Sequence, residues 1–389
     1  MHHPGQFRLL TLHYGLYQLA MALALGFGGA YLLHLGFSLP QVLIAYAALL
    51  AIRCALRFIG LGLVRRIGYR RAVVAGAVLG GLQFWPMLYA QTLPGLILWL
   101  AAIALAESLY WPVYHCAVAV TGLEGARGRE LGIRSVVGAG ASVLGPFAGG
   151  LLLEYFGPQV DFGIGAGLMI ASAIPLALMR DFDAGPVPGA RESLRWIDRE
   201  AIIAFTADGW MASGLHLAWP MVLFLALHSH YEAFGFANAA AGLAGAAGGL
   251  LCGRAIDRGR RDKYLALVSI ALAAGFALRA AAGWSPVAAT IANATGAAVM
   301  GVYVPVLMSH IYDRAKSSGA AYRFHFAAEA GWDLGAASGC LVAALVVVAT
   351  GVPSLSVVPG AFGILVLYAF VRRQPGATAS LATEKVEAA

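Results

Sequence analysis

The sequence predicts an all-α membrane protein: twelve transmembrane helices in two pseudo-symmetric six-helix bundles. Three observations predict it. Of 389 residues, 60% are hydrophobic and 12% charged, against roughly 45–50% and 25% in a soluble domain. A soluble core cannot absorb that much apolar surface, which excludes an ordinary soluble enzyme, a disordered chain and a disulfide scaffold. Apolar runs of about 20 residues, the length that crosses a bilayer, recur about twelve times. Lys and Arg fall in alternate connections between those runs. Helices are the expected element because each satisfies its own backbone polar groups inside lipid, and the runs do not alternate as barrel strands do.

The spans follow in order. Span 9–33 starts directly after Arg8 and has no small-residue cleavage site, so it reads as a retained helix. The connection His34–Pro40 holds no Lys or Arg, and 40–63 then runs to Arg65, Arg66, Arg70 and Arg71. Span 72–91 returns to the uncharged Gln91–Pro94, and 94–119 leads to Arg127 and Arg129. Span 131–155 ends at Gly157–Asp161, and 158–179 at Arg180. The longest connection, 181–199, contains Gly185-Pro186, Pro188-Gly189, Arg191, Arg195 and Arg199, and divides an N-terminal bundle (1–180) from a C-terminal one (200–373). The second set is 200–227, 233–252, 264–283, 287–311, 321–349 and 354–371. Its basic connections carry Arg254, Arg258, Arg260, Arg261 and Lys263, then Arg314 and Lys316; His228–Glu232, Trp284–Pro286 and Gly351–Pro353 carry none. The tail, 374–389, is small and polar and reads as a disordered cytoplasmic segment. The positive-inside rule places the basic side and both termini in the cytoplasm. The net charge of +7 is then a topology signal, and no nucleic-acid role is needed to explain it.

Cys54, Cys116, Cys252 and Cys340 lie in apolar stretches without CxxC or Cys/His spacing, so neither a disulfide, a metal nor a cofactor is expected. Helices rich in Ala and Gly, with many Arg and few Lys, suggest a GC-rich bacterial genome and hence an inner membrane.

The halves look like repeats. The basic loop near Arg65 recurs near Asp257, and Ala126-Arg127 recurs as Ala315-Lys316, both about half the chain length later. Between spans two and three the chain reads Gly60-Leu-Gly-Leu-Val-Arg65-Arg66-Ile-Gly68-Tyr-Arg70-Arg71, and its second copy reads Gly253-Arg254-Ala-Ile-Asp257-Arg258-Gly259-Arg260-Arg261. The fifth span has Gly132, Ala141, then Gly145-Pro146-Phe-Ala-Gly149-Gly150. With the 6+6 plan, these features resemble the major facilitator superfamily of secondary transporters, from about Arg8 to Arg373. The loop is similar to that family's G-x-x-x-D-R-x-G-R-R latch, with Arg65 in place of the first Asp. The fifth span resembles its antiporter motif, with one mismatch at Ala141. Physically, the glycines allow close helix approach and Pro146 bends the helix; generic small-residue packing would look the same. The Arg that many drug exporters carry in the fourth helix is missing: the matching position is near Leu100.

Charges inside the spans cost roughly 2.5–3.5 kcal/mol each on insertion scales, so they should face a cavity or pair with each other. Arg53 and Arg57 share one face of the second span, with Glu107 of the fourth at the depth of Arg53. They read either as an anion-binding pair with Glu107 as counter-ion or proton site, or as a static ion pair. One acid against two arginines leaves positive charge uncompensated, which favours an anionic group. His325, Glu329 and Asp333 stack on one face of the eleventh span, a spacing that suits a proton relay, a metal or a structural contact, with Arg323 as a candidate partner. Asp208, in the cytoplasmic third of the seventh span, reads equally as a substrate contact or as the partner of a loop base, and Arg279 is expected to snorkel from the ninth to the outer interface. The resemblance assigns the cavity to helices 1, 4, 7 and 10, which adds Tyr14, Tyr17, Gln18, Tyr110, Trp111, Tyr114, His115, Trp210, His216, Asn293 and Tyr303. Each reads equally as packing. His228 and His230 are expected to be solvated at the outer surface.

The resemblance implies a monomeric transporter in the lipid bilayer that moves a small-molecule substrate by alternating access; protons are the expected coupling ion, and the charges read inside the spans make Glu107, Glu329, Asp333 and His325 the candidate coupling groups. Export is expected from the fifth-span motif. Uptake of an anionic metabolite is the alternative transport reading, and a non-transporting sensor or assembly partner the alternative class. No nucleophile elbow, phosphate loop or metal-ligand spacing suggests an enzyme.

Overall fold

The computed structural model describes residues 4–121, 127–182, 184–195, 199–256, 261–317 and 321–372. Asp257 and Arg258 of the second basic loop, and the tail 374–389, lie outside the described residues. The described chain is helical: α1 (Pro4–Leu23), α2 (Gly28–His34), α3 (Leu39–Ile67), α4 (Tyr69–Leu82), α5 (Phe84–Met87), α6 (Leu93–Thr121), α7 (Arg127–Phe156) and α8 (Pro158–Leu178) form the N-terminal half. A short linker helix, α9 (Ala190–Arg195), leads to α10 (Arg199–Ala212), α11 (Trp219–Ala226), α12 (Tyr231–Ile256), α13 (Arg261–Ala282), α14 (Pro286–Ser317), α15 (Ala321–Thr350) and α16 (Ala361–Arg372).

Local sequence sets these boundaries. A Ser38–Gln41 capping box with Pro40 in the first turn starts α3. Gly68, at φ 83°, ends it and turns the chain into α4. Gly157, at φ 82°, and Pro158 do the same between α7 and α8. A 3₁₀ turn at Leu25–Phe27 joins α1 to α2 within one span, and a π-helical segment, Ser213–Ala218, joins α10 to α11. Among the described residues, eight helices are long and apolar enough to cross a membrane, and Ala266–Ala282 and Pro353–Ala369 are shorter apolar helices. The third expected span divides at Gln83 into α4 and the short α5.

The two halves meet along two seams, α7 with α12 and α3 with α15. Small residues make the first seam possible. A methyl on Gly150 would lie 2.6 Å from the Tyr231 carbonyl oxygen, and one on Gly235 would lie 2.9 Å from the Gly150 Cα and collide with the Pro146 carbonyl. On the other side of α7, a methyl on Gly145 would lie 2.6 Å from the Ala22 Cβ, and Gly149 lies against the Leu23 carbonyl of α1. The fifth-span glycines therefore join α7 to its own half and to the opposite one. The end of this seam at the α7–α8 and α11–α12 connections is tied by Glu154, whose carboxylate accepts the Tyr231 backbone N–H at 2.7 Å and lies 3.2 Å from His230 Nδ1. His230, expected to be solvated only, is thus part of a contact between the halves. Outward-facing apolar side chains, including Trp85, Leu144, Ile174 and Leu345, form the exterior, as a lipid-facing surface requires.

Candidate functional site

The second seam carries the charged residues. Arg53 lies midway along α3, and its fork reaches both halves: Nη1 donates to Glu107 Oε2 of α6, and Nε donates to Asp333 Oδ1 of α15 at 2.7 Å. Nη2 also donates to Asp333 Oδ1. One turn on, Arg57 Nε donates to Asp333 Oδ2 at 2.8 Å, and its Nη2 to Glu329 Oε2 at 3.3 Å. The i, i+4 spacing of both pairs points the two arginines and the two acids at each other across the seam. Arg57 and Asp333 are almost completely buried, with side-chain exposures of 1% and 0%. His115 Nε2 of α6 lies 3.6 Å from Glu329 Oε1, and its ring stacks on His325 at 5.2 Å. The Trp332 ring lies 5.2 Å from the Arg53 guanidinium carbon, and its Nε1 donates to Asp208 Oδ2 at 3.1 Å.

This arrangement corrects the expected charge balance. Two guanidiniums face three carboxylates, Glu107, Glu329 and Asp333, so the cluster has no uncompensated positive charge to offer an anion. The helix-11 acids do not form a relay separate from the arginines; they are the arginines' partners. Arg323 is directed elsewhere, to Glu192 of the linker helix at 3.3 Å.

The expected cavity tyrosines of the N-terminal half are interior packing. Tyr17 stacks on Tyr110 at 4.2 Å, Tyr110 stacks on Tyr114 at 5.1 Å, and all three are buried. His13 completes the group, with Nδ1 2.8 Å from the Ser172 carbonyl and Nε2 2.7 Å from the Tyr110 hydroxyl. A carbonyl only accepts, so Nδ1 carries a hydrogen there. Arg134 of α7 donates to the Tyr114 hydroxyl and covers the Tyr14 ring at 4.7 Å. Neither His13 nor Arg134 stood out in the sequence; Arg134 sits close enough to Arg127 and Arg129 to be counted with the loop. Tyr303 is also buried, Trp210 Nε1 donates to the Pro359 carbonyl at 2.7 Å, and Gln18 is half-buried.

A cavity of about 480 Å³ opens between α1 and α7 on one side and the C-terminal half on the other. His216, Trp219, Asn238, Arg279 and Asn293 line it with Phe27 and Pro146. The π-helical segment turns His216 toward it; such segments are frequent at functional sites. Arg279 does not snorkel outward. It is 4% exposed, covers the Trp219 ring at 5.3 Å and lies in a slot left by Gly296. The missing Cβ decides the direction, since a methyl there would occupy the guanidinium's place.

At the C-terminal end of α3, Gly68 reverses the chain so that Tyr69 donates its hydroxyl to the Gly185 carbonyl at 2.7 Å. Arg70 donates to the Met179 carbonyl at 2.9 Å and pairs with Asp181 at 3.0 Å. The basic loop thus grips the linker, and Asp181 supplies a carboxylate that the loop itself lacks.

The described residues hold no cluster of His, Cys, Asp and Glu suited to a metal ion. Comparison with known proteins agrees with the architecture. The fold matches FucP in its outward conformation with a TM-score of 0.64 at 15% identity, covering 95% of this chain and 99% of that one. It matches the nucleoside transporter NupG with a TM-score of 0.66 at 12% identity, covering 95% and 99%. A stretch of 92 residues is 32% identical to the methyl viologen resistance protein SmvA of Salmonella typhimurium; it covers 23% of this chain and only 19% of that protein's length. The sequence profile described as Major Facilitator Superfamily matches residues 10–324. The profile over residues 10–324 makes this chain a member of the Major Facilitator Superfamily, a multi-pass membrane transporter with the fold those structures share.

Proposed function

We propose that the protein is a proton-coupled secondary transporter that exports a small organic solute by alternating access. The observation that carries the reading is the grip of Asp333 and Glu329, from one half, on Arg53 and Arg57, from the other. A proton on either acid removes a charge that holds α3 to α15. Protonation therefore stabilises the arrangement with the seam parted relative to the closed one, the differential affinity that coupling requires. Export is supported by the α7 glycine motif and by the limited similarity to a protein named for viologen resistance. The reading includes twelve spans, a monomer, an inner membrane and both termini in the cytoplasm, the last supported by the distribution of Lys and Arg. Uptake of an anionic metabolite is the second reading. The seam arginines no longer favour it, but Arg279 does.

The test is proton flux in proteoliposomes with a trapped pH dye, comparing wild type with Glu329→Gln/Asp333→Asn as a solute library is added. The expected result is a solute-dependent signal in the wild type that the double substitution removes, with its sign separating antiport from symport. Equal signals in both proteins would overturn coupling through α15.

A further inference from the structure

We infer that Arg279 anchors a binding site for a small organic monocarboxylate in the cavity between the halves. The inference rests on the transport reading only in taking this cavity as a station on the solute's path; the charge preference itself is a property of the cavity.

The indole and amide groups beside Arg279 are already satisfied, and His216 faces the same cavity. Trp219 Nε1 donates to Asn293 Oδ1 at 2.9 Å, and Asn293 Nδ2 donates to the Ala237 carbonyl and to Asn238 Oδ1, both at 3.2 Å. Asn238 Nδ2 donates to the Phe234 carbonyl at 2.9 Å. Arg279 is different. Its Nε is buried without an acceptor, and among the described residues no carboxylate lies within ion-pair distance of its guanidinium. Stacking on Trp219 compensates part of the charge and leaves the N–H edge unmatched. An unpaired buried charge is expensive, and one that persists inside a membrane span marks a ligand or ion pathway by default.

The geometry selects the ligand. A planar guanidinium presents parallel N–H groups that match the two oxygens of a carboxylate. One cation matches one negative charge, whereas a dianionic phosphate would leave the second charge against Phe27, Phe234, Leu215 and Met300. These apolar neighbours suit a hydrophobic body, and about 480 Å³ lies within the range of small-molecule sites.

The test uses the exposed cavity residue His216 as a reporter. In protein with the four native cysteines replaced, His216→Cys is labelled with an anionic sulfonatoethyl or a cationic trimethylammonioethyl methanethiosulfonate, each rate normalised to that with free thiol. The expected result is a preference for the anionic reagent of about tenfold, lost in Arg279→Gln and kept in Arg279→Lys. Benzoate is expected to slow labelling, and benzamide is not. Equal normalised rates for the two reagents, or a preference unchanged in Arg279→Gln, would overturn the site. Nanodiscs of phosphatidylcholine contain no anionic lipid; protection seen only after adding phosphatidylglycerol would assign the anion to a lipid headgroup and overturn the solute reading. The unsubstituted protein gives a second measurement: benzoate should raise its melting temperature while benzamide does not, and equal effects would count against the site. Failure of the proton-flux test leaves the labelling ratio unchanged, so the two readings fail separately.

Discussion

Asp333→Asn tests whether the charged seam holds the halves together. Asp333 Oδ1 accepts from Arg53 and Oδ2 from Arg57, and the side chain is fully buried. A contact pair of unit charges at an effective dielectric of 20 is worth about 4 kcal/mol. Asp333 makes two, offset by repulsion from Glu107 and Glu329, which share the same cations. Breaking a buried pair by removing one partner costs about 3–5 kcal/mol. The isosteric amide keeps one acceptor oxygen, so the lower end, about 3 kcal/mol, is the working figure. That energy belongs to the closed seam alone, so the equilibrium should shift toward separated halves by about 100-fold. Phe58 of α3 and Phe326 of α15 report it, since their rings meet edge to face at 5.5 Å. With both changed to Cys in a background lacking the native cysteines, oxidation should cross-link α3 to α15, and Asp333→Asn should slow that cross-linking at least twofold and by up to about two orders of magnitude. An unchanged rate in folded Asp333→Asn protein would refute the argument, showing that apolar contacts close the seam and that the ion pairs only fill it.

The remaining predictions concern the other contacts. Gly235→Leu should part the α7–α12 seam, because even a methyl there meets the Gly150 Cα at 2.9 Å; overpacking typically costs about 1–3 kcal/mol, read as a lower melting temperature together with lost transport. Asp181→Asn should change stability by less than about 1 kcal/mol and depend on salt, because its pair with Arg70 is exposed, with Asp181 76% accessible. A loss above about 2 kcal/mol in thermal melts would mean that the linker contact does more than an exposed ion pair can. These stand beside the proton-flux and cavity-labelling outcomes given above.

The architecture was legible because its determinants are local or compositional. Apolar run length marks spans, Lys and Arg mark alternate connections, and the α7 glycines announce close helix approach without naming the partner. The Arg53–Glu107 contact could be anticipated by counting depth along two spans of one half. The Asp333 contact could not: its partners are 280 and 276 residues away, in the other half, and helical periodicity says nothing about how two bundles face each other. Missing it reversed the inferred charge balance of the site. Tyr17, Tyr110 and Tyr114 failed for a related reason. Spacing shows that such residues share a face, but a cavity and a bundle interior both accept an aromatic face. Arg279 turned on one atom: near a helix end, outward snorkelling is the sound expectation until the absent Cβ of Gly296 provides a slot inward.

The seam and the cavity are joined through α10, and this gives the two charge centres a physical connection. Trp332 covers Arg53 on one side and donates to Asp208 of α10 on the other. From Asp208, α10 runs directly into the π-helical segment that carries His216 and then to Trp219, on which Arg279 rests. A π-helical segment has one residue more than the α-helical hydrogen-bond register accommodates, and such segments are frequent at functional sites. Contiguity alone does not establish coupling; that requires both ends to bias one equilibrium. Phe58–Phe326 cross-linking supplies the measure, because it reads the seam and can be followed while benzoate fills the cavity. If cavity occupancy shifts the cross-linking rate as well as the labelling of His216→Cys, the anion at Arg279 and the proton at Asp333 act on the same opening. Reciprocity then fixes that protonation of the seam changes anion affinity by the same factor.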